Sequence, residues 1–559
     1  MSTPSLTDES AAVTRLQGAP GSGKTYTLTQ EHAVEERDER DVSLADVRYL
    51  TFTKSGRYDA MEAMAEVYPN AEEDDIKKSV RTLHSAALSA VTRAGLLDLG
   101  QDGDDDIIRE GGSGDGTSVF EWFFSSEHPG IEYREGAFDP SEVLDEDTDT
   151  TIPTGNRILQ AYNYCRSKVW DLKYYEHAPY DIDLPPHRVM DVFESWEAFK
   201  DEHNLYQDDD YVYLALHNAL TPDAKVLYID EFQDLSPLQY ELYKVWRDSS
   251  VVERVYIAGD DKQAIYGFRG ADPKYFRETP VSEEERREMS RRCPAEVVNA
   301  ARCLFDDVSG HDVSNVTAKE DGGTVEHRDA DGPDALAALV DECLEKHGET
   351  FLLARTNRQA YKMAWALREA GYPYTGVKED GALGRWQHPM PALLSALRRI
   401  RDGSPLPKIE LQTLLEESGV AQAEAVVPAL PKAGDDGPAT YGDDALAEVY
   451  GGVPTAEQAV RALDVDEWRH ELLANALDSD ATHDPDDVQI GTIHSVKGLE
   501  ADAVILSPAY SSKMLDSYVS GDGVLEEHRL YYVGMTRARD AVYVIHDFHD
   551  GEEFPPLEG

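Results

Sequence analysis

The sequence predicts an α/β protein built on parallel sheets, and three observations carry that expectation. Short apolar runs of strand length recur along the chain with helical patterns between them, the alternation that βαβ units produce. The earliest strand-like run leads through a glycine-rich turn at 18–25 straight into a helix. A later run, Val226–Ile229, ends on adjacent carboxylates, Asp230 and Glu231. The C-terminal edge of a parallel sheet is where α/β proteins gather ligand groups.

The elements follow in order. Residues 1–10 read as a loose tail, 13–17 as a strand before the turn, and Lys24 as the start of a helix. Residues 47–52 (VRYLTF) form a strand candidate and 60–67 has helical spacing, whereas 102–117, rich in Gly and Asp, reads as a loop. The runs 226–229 and 254–258 have the length of buried parallel strands, and 351–354, 488–492, 503–506 and 541–545 read the same way. Two stretches differ. Residues 95–205 are loop-rich and aromatic, and 386–486 are rich in Ala, Leu and Pro with a helical pattern; both read as insertions. No repeat of solenoid period is visible.

At roughly 150 residues per domain, 559 residues suggest about four domains. Acidic residues number 109 and basic ones 53, a formal charge of −56. The acid recurs in short clusters at 72–75, 104–106, 208–210 and 435–436 rather than in one tail. Such an excess ordinarily argues against a nucleic-acid partner. Spread through the whole chain, it reads instead as adaptation to very high salt, in an extreme halophile or its virus or plasmid. There the Debye length falls to about 3 Å and self-repulsion is largely screened, so net charge does not exclude DNA or RNA. A 41% hydrophobic share supports packed cores and excludes wholesale disorder. Four cysteines (Cys165, Cys293, Cys303, Cys343) are too few for a disulfide scaffold, and their spacing fits no zinc or iron–sulfur motif. No apolar run reaches the roughly 18–20 residues of a membrane span, and the N-terminus lacks a basic-then-apolar signal. The expectation is a soluble, multidomain, cytoplasmic protein without a membrane partner.

Chemistry concentrates in two places. Gly18-Ala19-Pro20-Gly21-Ser22-Gly23-Lys24-Thr25 is a complete G-x4-G-K-[ST] motif between a strand and a helix. Its glycines let backbone N–H groups wrap phosphates at a helix N-terminus; Lys24 reaches the β/γ-phosphates and the Thr25 hydroxyl holds Mg²⁺. Across the sheet, Asp230 suits the same Mg²⁺ and Glu231 suits polarisation of an attacking water.

With Asp230-Glu231-Phe232-Gln233-Asp234, the sequence resembles the UvrD/Rep family of superfamily 1 DNA helicases. Residues 259–271 (GDDKQAIYGFRGA) resemble that family's third motif, 492–500 (TIHSVKGLE) its fifth and 526–538 (EEHRLYYVGMTRA) its sixth. Residues 51–54 (TFTK) and 82–85 (TLHS) resemble the early motifs, and Gln17 stands where the adenine-reading glutamine belongs. The resemblance implies two RecA-like P-loop motor domains with parallel sheets, 1–95 with 206–285 and 286–385 with 487–559, and ATP in the cleft between them. It implies mainly helical accessory insertions at 96–205 and, shortened, at 386–486.

The same resemblance implies ATP and Mg²⁺ as cofactors and assigns roles. Gln263 senses the γ-phosphate, and Arg292 and Arg537 are the arginines donated across the cleft. An arginine finger contributes about 10³–10⁵ in rate. Arg291 and Glu500 join the nucleotide-binding set. Arg291 stands where the family has a base-stacking tyrosine, which implies stacking through a guanidinium plane and weakened base discrimination. Phe52, His84, Tyr266, Phe268, Arg269, Arg355, Thr492 and His494 fall on strand-contact positions, with Phe268 in place of the usual tryptophan.

The implied activity is an ATP-driven helicase moving 3′→5′ on single-stranded DNA and unwinding partly duplex DNA, with loading, repair or replication proteins as further partners. The alternative is a translocase that strips proteins, or the motor subunit of a nuclease complex. A non-catalytic ATP-binding regulator is a third reading, against which intact Lys24, Glu231, Gln263 and Arg537 speak. Phosphate contacts weaken steeply with salt, so the expected grip on DNA rests mainly on stacking and hydrogen bonds. Residues 162–175, where aromatics interleave with Arg166, Lys168 and Lys173, read either as a DNA-facing surface or as an amphipathic core helix.

Overall fold

The computed structural model describes residues 10–52, 54–97, 118–134, 152–306, 315–377, 389–420, 440–479, 483–510, 524–549 and 552–557, with the single residues 308, 481 and 515. The tail at 1–9, Thr53, the loop at 102–117 and the acidic clusters at 104–106 and 435–436 lie outside the described residues. The chain forms two compact units, each built on a six-stranded sheet.

The first unit comprises the described residues up to Gly322 together with 515 and 524–536. Its sheet contains β1 (Ala12–Gly18), β2 (Val47–Thr51), β3 (Val80–Thr82), β4 (Val226–Ile229), β5 (Arg254–Gly259) and β6 (Glu283–Arg287), in the order β3-β2-β4-β5-β1-β6. Every pairing is parallel. The central strands are buried on both faces. Val47, Tyr49, Val226 and Tyr228 fill one core, and Leu50, Leu227, Ile229 and Ile257 fill the other. Covered on two sides, such strands become the unbroken apolar runs that the sequence displays. The edge strand β6 reads EEERR and is largely exposed, a charged edge that discourages further pairing. Register sets Gln17 level with Gly259 and Ile229 level with Ile257, so β1, β4 and β5 end together.

The described part of the first insertion is helical, over Val119–Glu127, Thr154–Ser167 and Pro186–His203, rather than loop-rich. Its aromatic density is its own core: Phe123, Tyr162, Phe193 and Trp196 pack together.

The second unit contains β7 (Thr324–Asp329), β8 (Thr350–Ala354), β9 (Thr375–Gly376), the short pair β10 (Leu406–Pro407) and β11 (Thr440–Tyr441), β12 (Val488–Thr492), β13 (Ala501–Leu506), β14 (Ala509–Tyr510), β15 (Ala538–His546) and β16 (Glu552–Glu553). Its sheet is parallel in the order β7-β15-β13-β8-β12-β9, while β14 pairs with β16. The described part of the second insertion packs onto the sheet of this unit. Leu393 and Leu397 of Met390–Asp402 and Leu473 of Glu467–Asp478 share a cluster with Leu352 and Ile490 of the sheet.

By packing, residues 286–306, 308, 315–322 and 524–536 fall in the first unit. The reason is local: β6 extends the first sheet to Arg287, and the segment that follows lies on the glycine-rich turn, with Arg291 N–H donating to Gly21 O at 2.8 Å. Cys165, Cys293 and Cys343 are buried thiols and Cys303 is an exposed one. Among the described residues no helix is long and apolar enough to cross a membrane.

Candidate nucleotide site and strand-facing edge

β1 ends at Gly18, where a Cβ would overlap Ser22 Oγ and the Lys24 side chain. Gly21 (φ 64°) and Gly23 (φ 84°) take the left-handed backbone that glycine enters without strain. Ala19, Pro20, Ser22 and Lys24 are buried and Gln17 is half-buried on β1. Lys24 Nζ donates to the carbonyls of Gly18 (3.2 Å) and Ala19 (3.4 Å). Ser22 Oγ is buried without a hydrogen-bond partner. A buried ammonium, an unsatisfied hydroxyl and a glycine cradle at a helix start together suit a polyphosphate.

Thr25 Oγ1 donates to Asp230 Oδ2 at 2.8 Å, and the Tyr49 hydroxyl donates to the same oxygen at 3.0 Å. A hydroxyl and a carboxylate so close are the hard oxygen ligands Mg²⁺ takes. Burial, and then the adjacent Glu231 carboxylate, hold Asp230 above the usual carboxylate range. Glu231 has φ 52°, a left-handed backbone that non-glycine residues adopt under strain and that clusters at functional sites.

A relay of hydrogen bonds fixes it. Gln233 Nε2 donates to Glu231 Oε2 at 2.5 Å, while Gln233 Oε1 accepts the Asp260 N–H at 3.0 Å. Asp260 Oδ2 in turn accepts Gln263 Nε2 at 2.8 Å. Gln233 is fully buried, and Gly259 makes its space, since a Cβ there would overlap Oε1. The sequence reading passed over Gln233 and Asp260. Their signal was an amide set between acids in DEFQD and a second acidic pair just after a buried strand.

Ser290 Oγ accepts the N–H groups of Arg292 (3.3 Å) and Cys293 (3.0 Å), which tightens this turn against the cradle. Arg292 crowds Gly21, where a Cβ would stand 2.5 Å from its own, and its Nη1 donates to Thr536 O at 3.1 Å. The Arg291 guanidinium lies 5.9 Å from the ring centre of Tyr26, which is 54% exposed. Tyr26 also escaped the sequence reading; an aromatic directly after the phosphate motif was the available sign.

The strand-contact candidates of this unit follow the C-terminal ends of β2, β3 and β5. Phe52 is half-buried after β2. His84 lies in the first turn of the helix after β3 and accepts from the Gln239 amide at 3.1 Å. Tyr266 and Phe268 meet edge to face at 6.0 Å, and the exposed Arg269 lies 5.9 and 5.7 Å from their ring centres. Glu526 braces this turn by accepting the Gly267 N–H at 3.0 Å.

The second unit separates its candidates. Buried Arg355 follows β8, and Thr492 ends β12 opposite Ala354, with His494 in the next turn. These three share the C-terminal edge of the sheet. Glu500 and Arg537 instead precede β13 and β15, at the opposite edge. Arg537 is 2% exposed and donates to Leu499 O at 3.3 Å, and Glu500 pairs with Arg539 at 3.3 Å. The residues assigned to nucleotide and those assigned to DNA thus lie on different edges.

Comparison with known proteins places these features in a family. The model described as the UvrD/REP helicase N-terminal domain matches residues 9–281, and that described as the UvrD-like helicase C-terminal domain matches 466–547. Together they take in more than half of the chain, with Arg291, Arg292 and Arg355 outside both spans. The chain is 30% identical over 399 residues to ATP-dependent DNA helicase UvrD2 of Mycobacterium tuberculosis, covering 64% of this chain and 54% of that protein. It is 23% identical over 430 residues to ATP-dependent DNA helicase PcrA of Staphylococcus epidermidis, with coverages of 72% and 53%. It is 24% identical over 442 residues to the Bacillus subtilis protein named putative ATP-dependent DNA helicase YjcD, with coverages of 64% and 57%. The chain therefore spans about half the length of the curated relatives it matches.

Proposed function

This chain belongs to the UvrD/Rep family of helicases, and on that footing we propose that it hydrolyses ATP to move along single-stranded DNA in the 3′→5′ direction and to unwind duplex. The P-loop N–H groups and Lys24 hold the β/γ-phosphates, and Ser22 finds there the partner it lacks within the protein. Thr25 and Asp230 hold Mg²⁺, which when bound neutralises charge on the phosphoryl oxygens. Glu231 orients the attacking water and takes its proton. Gln263 reads the γ-phosphate, and Arg292 and Arg537 offset the charge that develops during transfer. Tyr26 and Arg291 offer the base two π-stacking surfaces.

The observation that carries the reading is the chain of bonds Glu231–Gln233–Asp260–Gln263. It runs from the hydrolytic carboxylate into the backbone segment that, three residues on, becomes the Tyr266–Arg269 turn. Whatever moves Gln263 with the state of the phosphate therefore moves the residues assigned to the strand. Phe52, His84, Arg355, Thr492 and His494 complete the DNA path in this proposal, and the pervasive acid serves solubility in molar salt.

Strand displacement on duplexes tailed at the 3′ or the 5′ end, measured beside translocation on single strands in molar KCl, tests the proposal. Unwinding confined to the 3′-tailed substrate supports it. Hydrolysis that DNA does not stimulate overturns it.

A further inference from the structure

We propose that the turn after the Thr154–Ser167 helix, centred on Trp170, is a stacking platform for single-stranded DNA that carries the strand path from the Tyr266–Arg269 turn onto the first insertion. The proposal rests on the DNA-motor reading above and adds to it a surface outside the recognised motifs.

The platform abuts that turn. A Cβ on Gly270 would stand 2.5 Å from Ser167 Oγ and 3.6 Å from Lys168 Cε. The Tyr180 hydroxyl donates to Phe268 O at 3.1 Å. From Tyr180 the rings continue through Tyr164 (6.2 Å), Trp170 (5.6 Å) and His177 (6.4 Å) to Tyr174 (6.2 Å). The inner residues of the 162–175 stretch, Tyr162, Cys165 and Tyr175, belong to the insertion core. The outer ones do not: Val169 is 47%, Trp170 37% and Tyr174 48% exposed.

The backbone holds this knuckle out under strain. Val169 N–H donates to Arg166 O and Trp170 N–H to Cys165 O, a helix ending whose left-handed position glycine normally fills. Here a valine occupies it at φ 56°, an outlier for a β-branched residue. Burial of the exposed rings is not what that strain secures, because the knuckle projects into solvent.

Charge selects the occupant. In a chain with about two acids per base, Lys168 and Arg269 flank the knuckle and neither has a carboxylate at ion-pair distance among the described residues. The nearest acids are engaged elsewhere: Asp272 pairs with Lys274, and Glu526 accepts the Gly267 N–H. Exposed aromatics beside cations that make no ion pair among the described residues are the combination that single-strand binders use, bases on the rings and phosphates on the cations.

The test is anisotropy of labelled oligothymidylates and of a blunt duplex with the full chain in molar KCl. Stacking is worth roughly 1–3 kcal/mol per base, so Trp170→Ala is expected to weaken oligothymidylate binding by about 5- to 150-fold, with Trp170→Phe staying within about threefold of wild type. DNA-free ATP hydrolysis should be unchanged in both, and blunt-duplex binding should be unaffected. Where Trp170→Ala melts early, Tyr174→Ala and Lys168→Gln decide in its place, each expected to weaken single-strand binding. Wild-type affinity in these variants, a loss confined to the blunt duplex, or loss only of a protein partner's binding overturns the platform while leaving the motor reading standing. Failure of the wild-type chain itself to bind oligothymidylate overturns both.

Discussion

Gly259→Ala tests the relay behind Glu231, the carboxylate proposed to orient the attacking water. Gly259 needs no unusual backbone; it is glycine for space, because a Cβ would overlap Gln233 Oε1 and stand 3.3 Å from the Phe276 ring. Gln233 has nowhere to retreat, being fully buried and bonded at both ends of its amide. The added methyl must therefore break the bond from Asp260 N–H, the bond to Glu231, or both. A buried group left without its partner costs about 1–3 kcal/mol. A loss of about 2 kcal/mol would lower the melting temperature by roughly 3 °C for a unit of this size. The larger effect falls on turnover: a misplacement of about 1 Å at a reacting group lowers rate by about 10². The assay is steady-state ATP hydrolysis at saturating single-stranded DNA, with kcat and KM separated. Gly259→Ala and Gln233→Ala should each lower kcat by about that factor with little change in KM. The double variant should be no worse than Gln233→Ala alone, since groups acting through one network are not additive. Wild-type kcat in Gly259→Ala, or losses that multiply in the double variant, would refute the relay.

Four further outcomes follow from the same geometry. Lys24→Ala should abolish both hydrolysis and stepping along DNA, measured by phosphate release and by translocation; stepping without the lysine would remove the basis of the motor. Asp230 has a raised pKa through burial and its Glu231 neighbour, so its ionised form is disfavoured in the fold. The resulting destabilisation is absent below the ordinary carboxylate pKa of the unfolded chain and complete above the raised folded pKa. Asp230→Asn should accordingly raise the nucleotide-free melting temperature at neutral pH while eliminating turnover, and in the wild type the Mg²⁺ requirement should climb as pH falls through that raised pKa. Because Tyr26 and Arg291 offer stacking rather than edge recognition, GTP should be hydrolysed within about tenfold of ATP; a stronger preference for ATP contradicts this base site. Single-strand affinity should fall only gently with salt, a log–log slope of about −0.7 for each phosphate contact, and a slope implying many such contacts would contradict a grip made mainly by stacking.

Legibility followed burial. β4 and β12 match the sequence reading residue for residue, and β2, β5, β8, β13 and β15 differ only at their ends, because strands covered on both faces must be apolar throughout. The edge strands β3, β6 and β7 were invisible: VRT, EEERR and TVEHRD carry charge where solvent reaches them, and only pairing with a neighbour defines them. In the described part of the first insertion the residue pattern understated the helices that the family resemblance implied, because its aromatics mark a core whose partners are distant in sequence.

The site divides in the same way. The sequence by itself determined the glycine-rich turn proposed to cradle phosphates, whose glycines, lysine and threonine are contiguous and whose backbone form is a property of that short segment. It also determined the acidic pair at the end of β4, since an apolar strand fixes which residue emerges at its edge. Tertiary structure alone decided that Gln233 ties Glu231 to Asp260, that Tyr26 faces Arg291, and that Glu500 and Arg537 lie across their sheet from Arg355 and Thr492. A hydrogen bond is set by distance and direction between atoms that the chain brings together from far apart, and spacing along one strand of sequence carries no record of that meeting.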